Sequence, residues 1–316
     1  SSEAALKYLL LGAISTALTL YGMAYLFGLS GETSLQGIAD YVSTAESDTR
    51  SGLVLAAVLL AAGLGFKMAV VPFQKWVPDV YQGAPTPVTA YLSVASKAAG
   101  FAVVMRIFVT AMGEGLISSD WSNMFAATAA ISMTAGNLMA LRQTNIKRLL
   151  GYSSIAQAGT FMIGLAAVAA NDPQVELGTS SVVFFLGTYA FTNLGAFMAV
   201  ITISGKLGSE EIADYSGVYK RSPYIALGLA ACLISLTGIP PTAGFVAKLY
   251  VFNAAVQADL VWLALIGVLN GVISAYYYLR VVMNMFGRDP ENEASFQPSP
   301  YLASALAIAV VGLFAI

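Results

Sequence analysis

Three lysines stand inside long apolar stretches of the sequence. Lys67 lies late in one stretch, Lys97 near the middle of the next, and Lys248 near the middle of a third. On membrane insertion scales a lysine at a helix centre costs about 2.5 to 3.5 kcal/mol, so each one needs a reason. Desolvation favours the neutral amine and a nearby carboxylate favours the ammonium. We therefore predict a relay in which these lysines load and release protons, with water bridging the gaps.

Glu3 and Lys7 add an acid and a base at the start of the sequence. Because they are four residues apart, they share one helical face, where they can exchange protons or form a static pair. A static pair, or a side chain that reaches the membrane surface, is the structural alternative for every lysine named above. For Arg106 this alternative is the preferred interpretation.

The segments that must position these residues are membrane spans. Hydrophobic residues make up 58% of the 316 positions and charged residues 10%, whereas roughly one quarter of a soluble domain is charged. A spanning helix needs roughly 20 apolar residues, so we predict an all-α, polytopic transmembrane helical bundle. The apolar runs cover 4–28, 51–72, 86–111, 121–141, 149–170, 179–204, 222–257, 260–286 and 299–316.

Composition also excludes several classes of site. The sequence has no histidine and one cysteine, Cys232, which excludes intrachain disulfides, Cys/His zinc sites, histidine-ligated haem and cysteine-ligated Fe–S clusters. A net charge of −2 gives no reason to expect nucleic acid as a partner. The sequence starts without Met and stops within an apolar run, and we interpret it as a fragment of a longer chain.

The connections between the runs alternate in charge. One side holds the acidic connections and a single basic residue, Arg50, whereas the other side holds nine basic residues. The positive-inside rule places this second side in the cytoplasm. Its basic residues are Lys75, Arg142, Lys147, Arg148, Lys206, Lys220, Arg221, Arg280 and Arg288.

Two of the runs contain helix breakers close to a lysine. The run 51–72 meets Pro72 just after Lys67, and the run 222–257 contains Pro240 and Pro241 just before Lys248. Proline removes an intrahelical hydrogen bond, and backbone groups freed inside a membrane must bind protein or cavity water. The two runs also have opposite predicted directions, so we predict two discontinuous helices in an inverted repeat.

Two smaller features have structural interpretations. Tyr276, Tyr277 and Tyr278, beside Arg280, are interpreted as an aromatic belt at the membrane surface. The basic cluster of Arg142, Lys147 and Arg148 is interpreted as a topological signal.

Five segments of the sequence resemble one family closely. The chain is similar to the antiporter-like membrane subunits of respiratory complex I over essentially its whole length, and most of all to the group that includes bacterial subunit N. The segments are EAALKYLLLGA at 3–13, GFKMAVVPFQKWVPDVYQGAPTPV at 65–88, SVASKAAGFA at 93–102, KRLLGYSSIAQAG at 147–159 and SLTGIPPTAGFVAKLYVF at 235–252.

The resemblance implies a role for each matching residue. Glu3 would be the carboxylate of the first half-channel, with Lys7 as a secondary partner, and Lys67 would be the lysine of the first broken helix. Lys97 would be the bridging lysine, and Lys248 the lysine of the second broken helix. Many relatives have histidine where this sequence has Gln74, so no protonation role is expected there.

The family likeness also implies an organisation and a set of partners. It implies an inverted-repeat antiporter-like fold that forms a single transmembrane domain. In this domain 1–111 would be the remainder of the first repeat, 121–286 the second repeat and 299–316 the start of a final span. The chain would then contain nine of about fourteen spans. NADH oxidation and quinone reduction would occur in other subunits. This chain would hold no flavin, Fe–S cluster, nicotinamide, quinone or metal. Its partners would be other membrane subunits, the lipid of the cell inner membrane and protons.

Three other functions stay open from the sequence. A subunit of a multisubunit sodium/proton antiporter would share the lysines and the breaks but work without electron transfer. A secondary transporter for an organic solute would need a polar pocket near the midplane. A structural scaffold would tolerate neutral replacements of its buried lysines.

Overall fold

The computed structural model describes residues 2–113, 115–168, 175–287 and 294–315. These residues form an all-helical bundle. Six helices are long and apolar enough to cross a membrane: α1, α3, α5, α7, α8 and α11. The helices are α1 (Ser2–Ser30), α2 (Leu35–Thr44), α3 (Arg50–Met68), α4 (Val77–Gly83), α5 (Thr86–Ala111), α6 (Ser118–Ala140), α7 (Ile146–Val168), α8 (Val175–Leu207), α9 (Pro223–Thr237), α10 (Ala243–Gln257), α11 (Val261–Gly287) and α12 (Pro300–Ala315).

The two predicted helix breaks are confirmed. The first follows α3, where Ala69 has a left-handed backbone with φ 61°. The second follows α9, where Gly238 has φ 86°. Protein groups bind the backbone that the first break frees: the Trp76 indole donates to Phe66 O at 3.1 Å, and the Ser132 hydroxyl accepts from Val71 N at 2.9 Å.

Helix α2 was not predicted from the sequence. It lies in an acidic connection that contains no long apolar run. Its start is nevertheless encoded locally, because the Ser34 hydroxyl accepts from Gly37 N at 3.0 Å and so caps the helix. Ile38 and Val42 turn inwards and are buried, which makes α2 a surface helix at one end of the bundle.

Helix α7 forms the centre of the bundle. In its most apolar window 94% of the residues are buried, the largest share of any candidate span. It packs against α6, α8, α10 and α4. The contact with α6 is close because Gly159 has no side chain, and a Cβ there would lie 2.7 Å from Met133 N. Helix α7 is thus placed to touch elements from both halves of the chain.

Candidate functional site

Lys97 is enclosed by protein. Its side chain projects from α5 directly after a π-helical turn over Leu92–Ser96, and the residue is 1% exposed. The Nζ atom donates to Ser154 O of α7 at 2.6 Å. No carboxylate among the described residues forms an ion pair with it. π-helical turns are frequent at functional sites, and the predicted burial of Lys97 is confirmed.

Lys248 is enclosed as well, at 8% exposure. It lies one turn into α10, after the second break. Its Nζ atom donates to Leu236 O at 2.9 Å and to Thr237 O at 2.8 Å. These are carbonyls at the end of α9, and the last turn of any helix leaves its carbonyls without intrahelical partners. The broken helix and the lysine therefore form one unit, in which the break supplies the ammonium's ligands.

Helix α7 connects the two lysines through residues that the sequence analysis did not single out. The Gln157 amide donates to Leu236 O at 2.9 Å, the same carbonyl that Lys248 binds. Ser154, whose carbonyl binds Lys97, lies three residues earlier on α7 and thus on the same helix face. The polar Gln157 side chain inside an apolar helix was a signal that could have found it, whereas the carbonyl of Ser154 belongs to the backbone and leaves no signal in the sequence.

Several buried polar atoms near this connection have no hydrogen-bond partner among the described residues. Buried polar groups normally bind protein or ordered water, and a buried water commonly makes about three such bonds. These atoms therefore mark positions where internal water would bind. They are Gln157 Oε1 on α7, and Thr188 Oγ1 and Asn193 Oδ1 on α8.

Lys67 differs from the prediction. It lies in the last turn of α3, but its side chain is exposed at the surface of the described bundle. Its Nζ atom lies 5.9 Å from the ring centre of Tyr8 and 5.8 Å from that of Phe66, within the range of cation–π attraction. Gly100 of α5 packs against the Lys67 backbone, so Lys67 stays close to the helix that carries Lys97.

Glu3 and Lys7 form the predicted pair, with Glu3 Oε1 2.6 Å from Lys7 Nζ. The Glu3 side chain is 74% exposed in the described bundle, contrary to the expectation of a buried carboxylate. Lys7 also binds Asp79 at 2.6 Å, and Asp79 binds Arg148 at 2.8 Å. Burial raises the pKa of Asp79, but hydrogen bonds from Lys7 and Arg148 outweigh burial and hold its pKa below the ordinary value.

The topological interpretation of the basic cluster stays a prediction, and the structure adds a packing role for two of its members. Besides the Arg148 contact with Asp79, the Lys147 side chain is 3% exposed and lies 2.7 Å from Glu210 Oε1. Its Nζ atom also donates to Ala84 O at 2.9 Å. Both side chains therefore hold the start of α7 against neighbouring elements.

The aromatic belt is wrong for Tyr277 and Tyr278, which are fully buried. Tyr277 donates to Asn137 Oδ1 at 2.9 Å, and Tyr278 shares a hydrogen bond with the Ser153 hydroxyl. Only Tyr276 of the three faces outwards, at 62% exposure. Successive residues of a helix are about 100° apart, so three in a row cannot all face lipid.

Comparisons with known proteins agree with this arrangement. Residues 1–274 match the family described as NADH:quinone oxidoreductase/Mrp antiporter, TM. The chain is 48% identical over 313 residues to NADH-quinone oxidoreductase subunit N of Dehalococcoides mccartyi, covering 98% of this chain and 64% of that one. It is 50% identical over 291 residues to NAD(P)H-quinone oxidoreductase subunit 2 of Nostoc punctiforme, covering 92% and 53%.

A solved structure is similar over nearly the whole chain. A chain of respiratory complex I from Thermus thermophilus, solved with bound aureothin, superposes with a TM-score of 0.82 at 34% identity. The match covers 99% of this chain and 66% of that one. Together with the two broken helices and their lysines, these matches show that the chain belongs to the antiporter-like membrane family shared by NADH:quinone oxidoreductase and the Mrp antiporter.

Proposed function

We propose that the chain acts in a proton-translocating membrane subunit of an NADH-quinone oxidoreductase. The observation that carries the proposal is the connection of Lys97 to Lys248 through Ser154 and Gln157 of α7. Relatives that are 48% and 50% identical and bear oxidoreductase-subunit names support it.

The bonding of the two lysines suits proton transfer. Each amino group is held by backbone carbonyls and not by a carboxylate of the described residues. A carbonyl accepts a hydrogen bond from the neutral amine as well as a stronger one from the ammonium, so the lysine keeps its partners in both protonation states. A carboxylate would favour the charged form strongly. Water at the unpartnered polar atoms of α7 and α8 would carry protons between the lysines.

Lys67, Glu3 and Lys7 are proposed as further proton-carrying positions on the first broken helix and on α1. Lys7 lies within 2.6 Å of both Glu3 and Asp79, and so has two alternative carboxylate partners. The exposed Lys67 would need a partner beyond the described bundle, since its own neighbours are aromatic rings.

The redox chemistry is proposed to occur in other subunits. The sequence has no histidine, and its single cysteine, Cys232, is buried in α9. One cysteine cannot ligate an Fe–S cluster, and the family likeness implies that flavin, NADH and quinone also bind in other subunits; other membrane subunits would be its partners. We also propose the cell inner membrane as its location, with the basic connections in the cytoplasm.

Neutral variants at the two enclosed lysines test the proposal. We expect Lys248→Met or Lys97→Met to lower proton uptake per electron by about twofold or more at normal levels of assembled complex. Proton uptake would be measured in membrane vesicles during quinone-linked NADH oxidation. Lys206→Met, at an exposed position near the end of α8, is the matched control. Normal uptake in both variants would refute the relay.

A subunit of an Mrp-type antiporter is the second candidate, because the matching family includes it. In that case the chain would support proton exchange against sodium without any electron donor. A sodium gradient that drives proton movement in vesicles without NADH would favour this candidate.

A further inference from the structure

The first turn of α7 is an ionic junction between parts of the chain that are far apart in sequence. Arg148 donates to Asp79 Oδ1 at 2.8 Å and to Gln82 Oε1 at 3.1 Å, both on α4. Asp79 in turn accepts from Lys7 of α1 at 2.6 Å. A single carboxylate on α4, the short helix after the first break, is thus shared by one cation from α1 and one from α7.

The neighbouring residue makes a second connection. Lys147 binds Glu210, which lies in the connection that leads to α9, and also Ala84 O just after α4. Asn145 fixes the same carboxylate, donating to Glu210 Oε2 at 3.2 Å, and its Oδ1 caps α7 by accepting from Lys147 N at 3.0 Å. The start of α7 is therefore bound both to the first broken helix and to the segment that enters the second.

The same helix carries the residues that hold the relay lysines. Ser154 and Gln157 lie seven and ten residues beyond Lys147, roughly 10 and 15 Å along the helix axis. Helix α7 is almost wholly buried, and a packed helix moves as a unit between discrete arrangements. A change in the ionic bonds at its first turn would shift Ser154 O and the Gln157 amide relative to Lys97 and Lys248.

We propose that Asp79 and Arg148 are positioning residues that transmit a change in the ion pairing of Lys7 to α7. When Lys7 Nζ pairs with Glu3 alone, 2.6 Å away, its ion pair with Asp79 breaks and no covalent bond changes. Asp79 is then balanced by Arg148 alone, which tightens its hold on α7. The inference rests on the proposed function, because the change in ionic bonds at α7 is proposed to act on Lys97 and Lys248.

Charge-neutral variants in the complete complex test this junction. We expect Arg148→Gln and Asp79→Asn to preserve electron transfer measured with an uncoupler, while protons taken up per electron fall about twofold or more. Arg148→Lys and Asp79→Glu keep the charges and should restore most of the uptake. A purely structural role would instead lower the amount of complex and its turnover together, with an unchanged proton-to-electron ratio.

Arg50→Gln is the matched control. It breaks an ion pair of the same type, in which Arg50 of α3 binds Asp120 of α6 at 3.0 Å, among the connections predicted for the opposite side. Its proton-to-electron ratio should stay normal. An equal fall in Arg50→Gln, or a normal ratio in Arg148→Gln at normal complex levels, would overturn the proposal.

Glu210→Gln provides a second route if Arg148→Gln fails to assemble. It removes the charge partner of Lys147 but keeps an oxygen that accepts a hydrogen bond, and should also lower the ratio. The outcomes separate the two proposals. Normal pumping in both Lys248→Met and Lys97→Met refutes the relay itself, whereas lost pumping there with normal ratios in the Arg148, Asp79 and Glu210 variants refutes only the junction.

Discussion

Lys97 and Lys248 are held alike, although they lie on different helices. Each ammonium binds carbonyl oxygen, and neither has a carboxylate partner among the described residues. Gln157 shares one of these carbonyls and keeps its own Oε1 unpartnered within the described bundle. Because Nε2 must face the Leu236 carbonyl, the orientation of the amide is fixed by chemistry. Gln157 is thus placed to bind water next to Lys248.

This geometry predicts the effect of Gln157→Leu. Leucine has a similar shape but cannot bind Leu236 O or orient a water, so we expect proton uptake per electron to fall about twofold or more. The amount of assembled complex should change little, because Leu236 O keeps its hydrogen bond from Lys248 Nζ and is not left unpaired. The measurement is proton uptake in vesicles, with complex content determined in parallel.

Gln257→Leu is the control for the same chemical change. Gln257 ends α10 and is exposed, and its amide donates to Asn253 Oδ1 on the same helix at 3.3 Å. Proton uptake per electron should be normal in Gln257→Leu. Equal uptake in both variants would remove Gln157 from the relay.

At the scale of helices, hydropathy predicted where helices occur better than it predicted which side of each helix faces protein. The runs and both breaks were readable, because long apolar segments and prolines each have a direct physical meaning. The sequence did not show that the Lys67 side chain faces outwards, nor that those of Tyr277 and Tyr278 face inwards. Spans that are apolar on all sides have no polar face to indicate which side meets protein. The ligands of Lys97 and Lys248 come from other helices, so local sequence could not name them.

The second break predicts a strong effect of Gly238→Ala. Gly238 has φ 86°, and a Cβ there would lie 2.8 Å from Lys248 Cδ. A left-handed backbone costs a non-glycine residue about 1 to 2 kcal/mol, and the contact would displace Lys248 from the carbonyls of Leu236 and Thr237. We expect reduced proton uptake and less assembled complex, measured in the same membranes.

Gly205→Ala is the comparison for Gly238→Ala. Gly205 lies within α8, and an added methyl group there would have no described atom of a neighbouring element within 4 Å. Alanine is the better helix former by about 1 kcal/mol, so complex content should be normal or slightly higher. Similar losses in the two variants would mean that the break does not hold Lys248 in place.

At the scale of the whole molecule, α7 contacts segments next to both helix breaks at two levels along its length. Its first turn binds Asp79 and Glu210, and its middle binds Lys97 and the carbonyl shared with Lys248. The division into repeats at 1–111 and 121–286 stays a prediction. What the fold adds is a physical connection across that division, made by one buried helix.

A double variant distinguishes one relay from two parallel paths. If Lys97 and Lys248 act in series through α7, either Lys→Met change interrupts the same path, and the double variant should lose no more proton uptake than the worse single variant. Residues that act as a unit are non-additive in this way, whereas independent sites add. Two parallel paths would each contribute a share, so the double loss would equal the sum of the two single losses.

Lys248→Met combined with the exposed Lys206→Met controls for the number of substitutions and should match Lys248→Met alone. Proton uptake per electron in vesicles of equal complex content gives the answer, and summed losses would contradict the connection through Ser154 and Gln157.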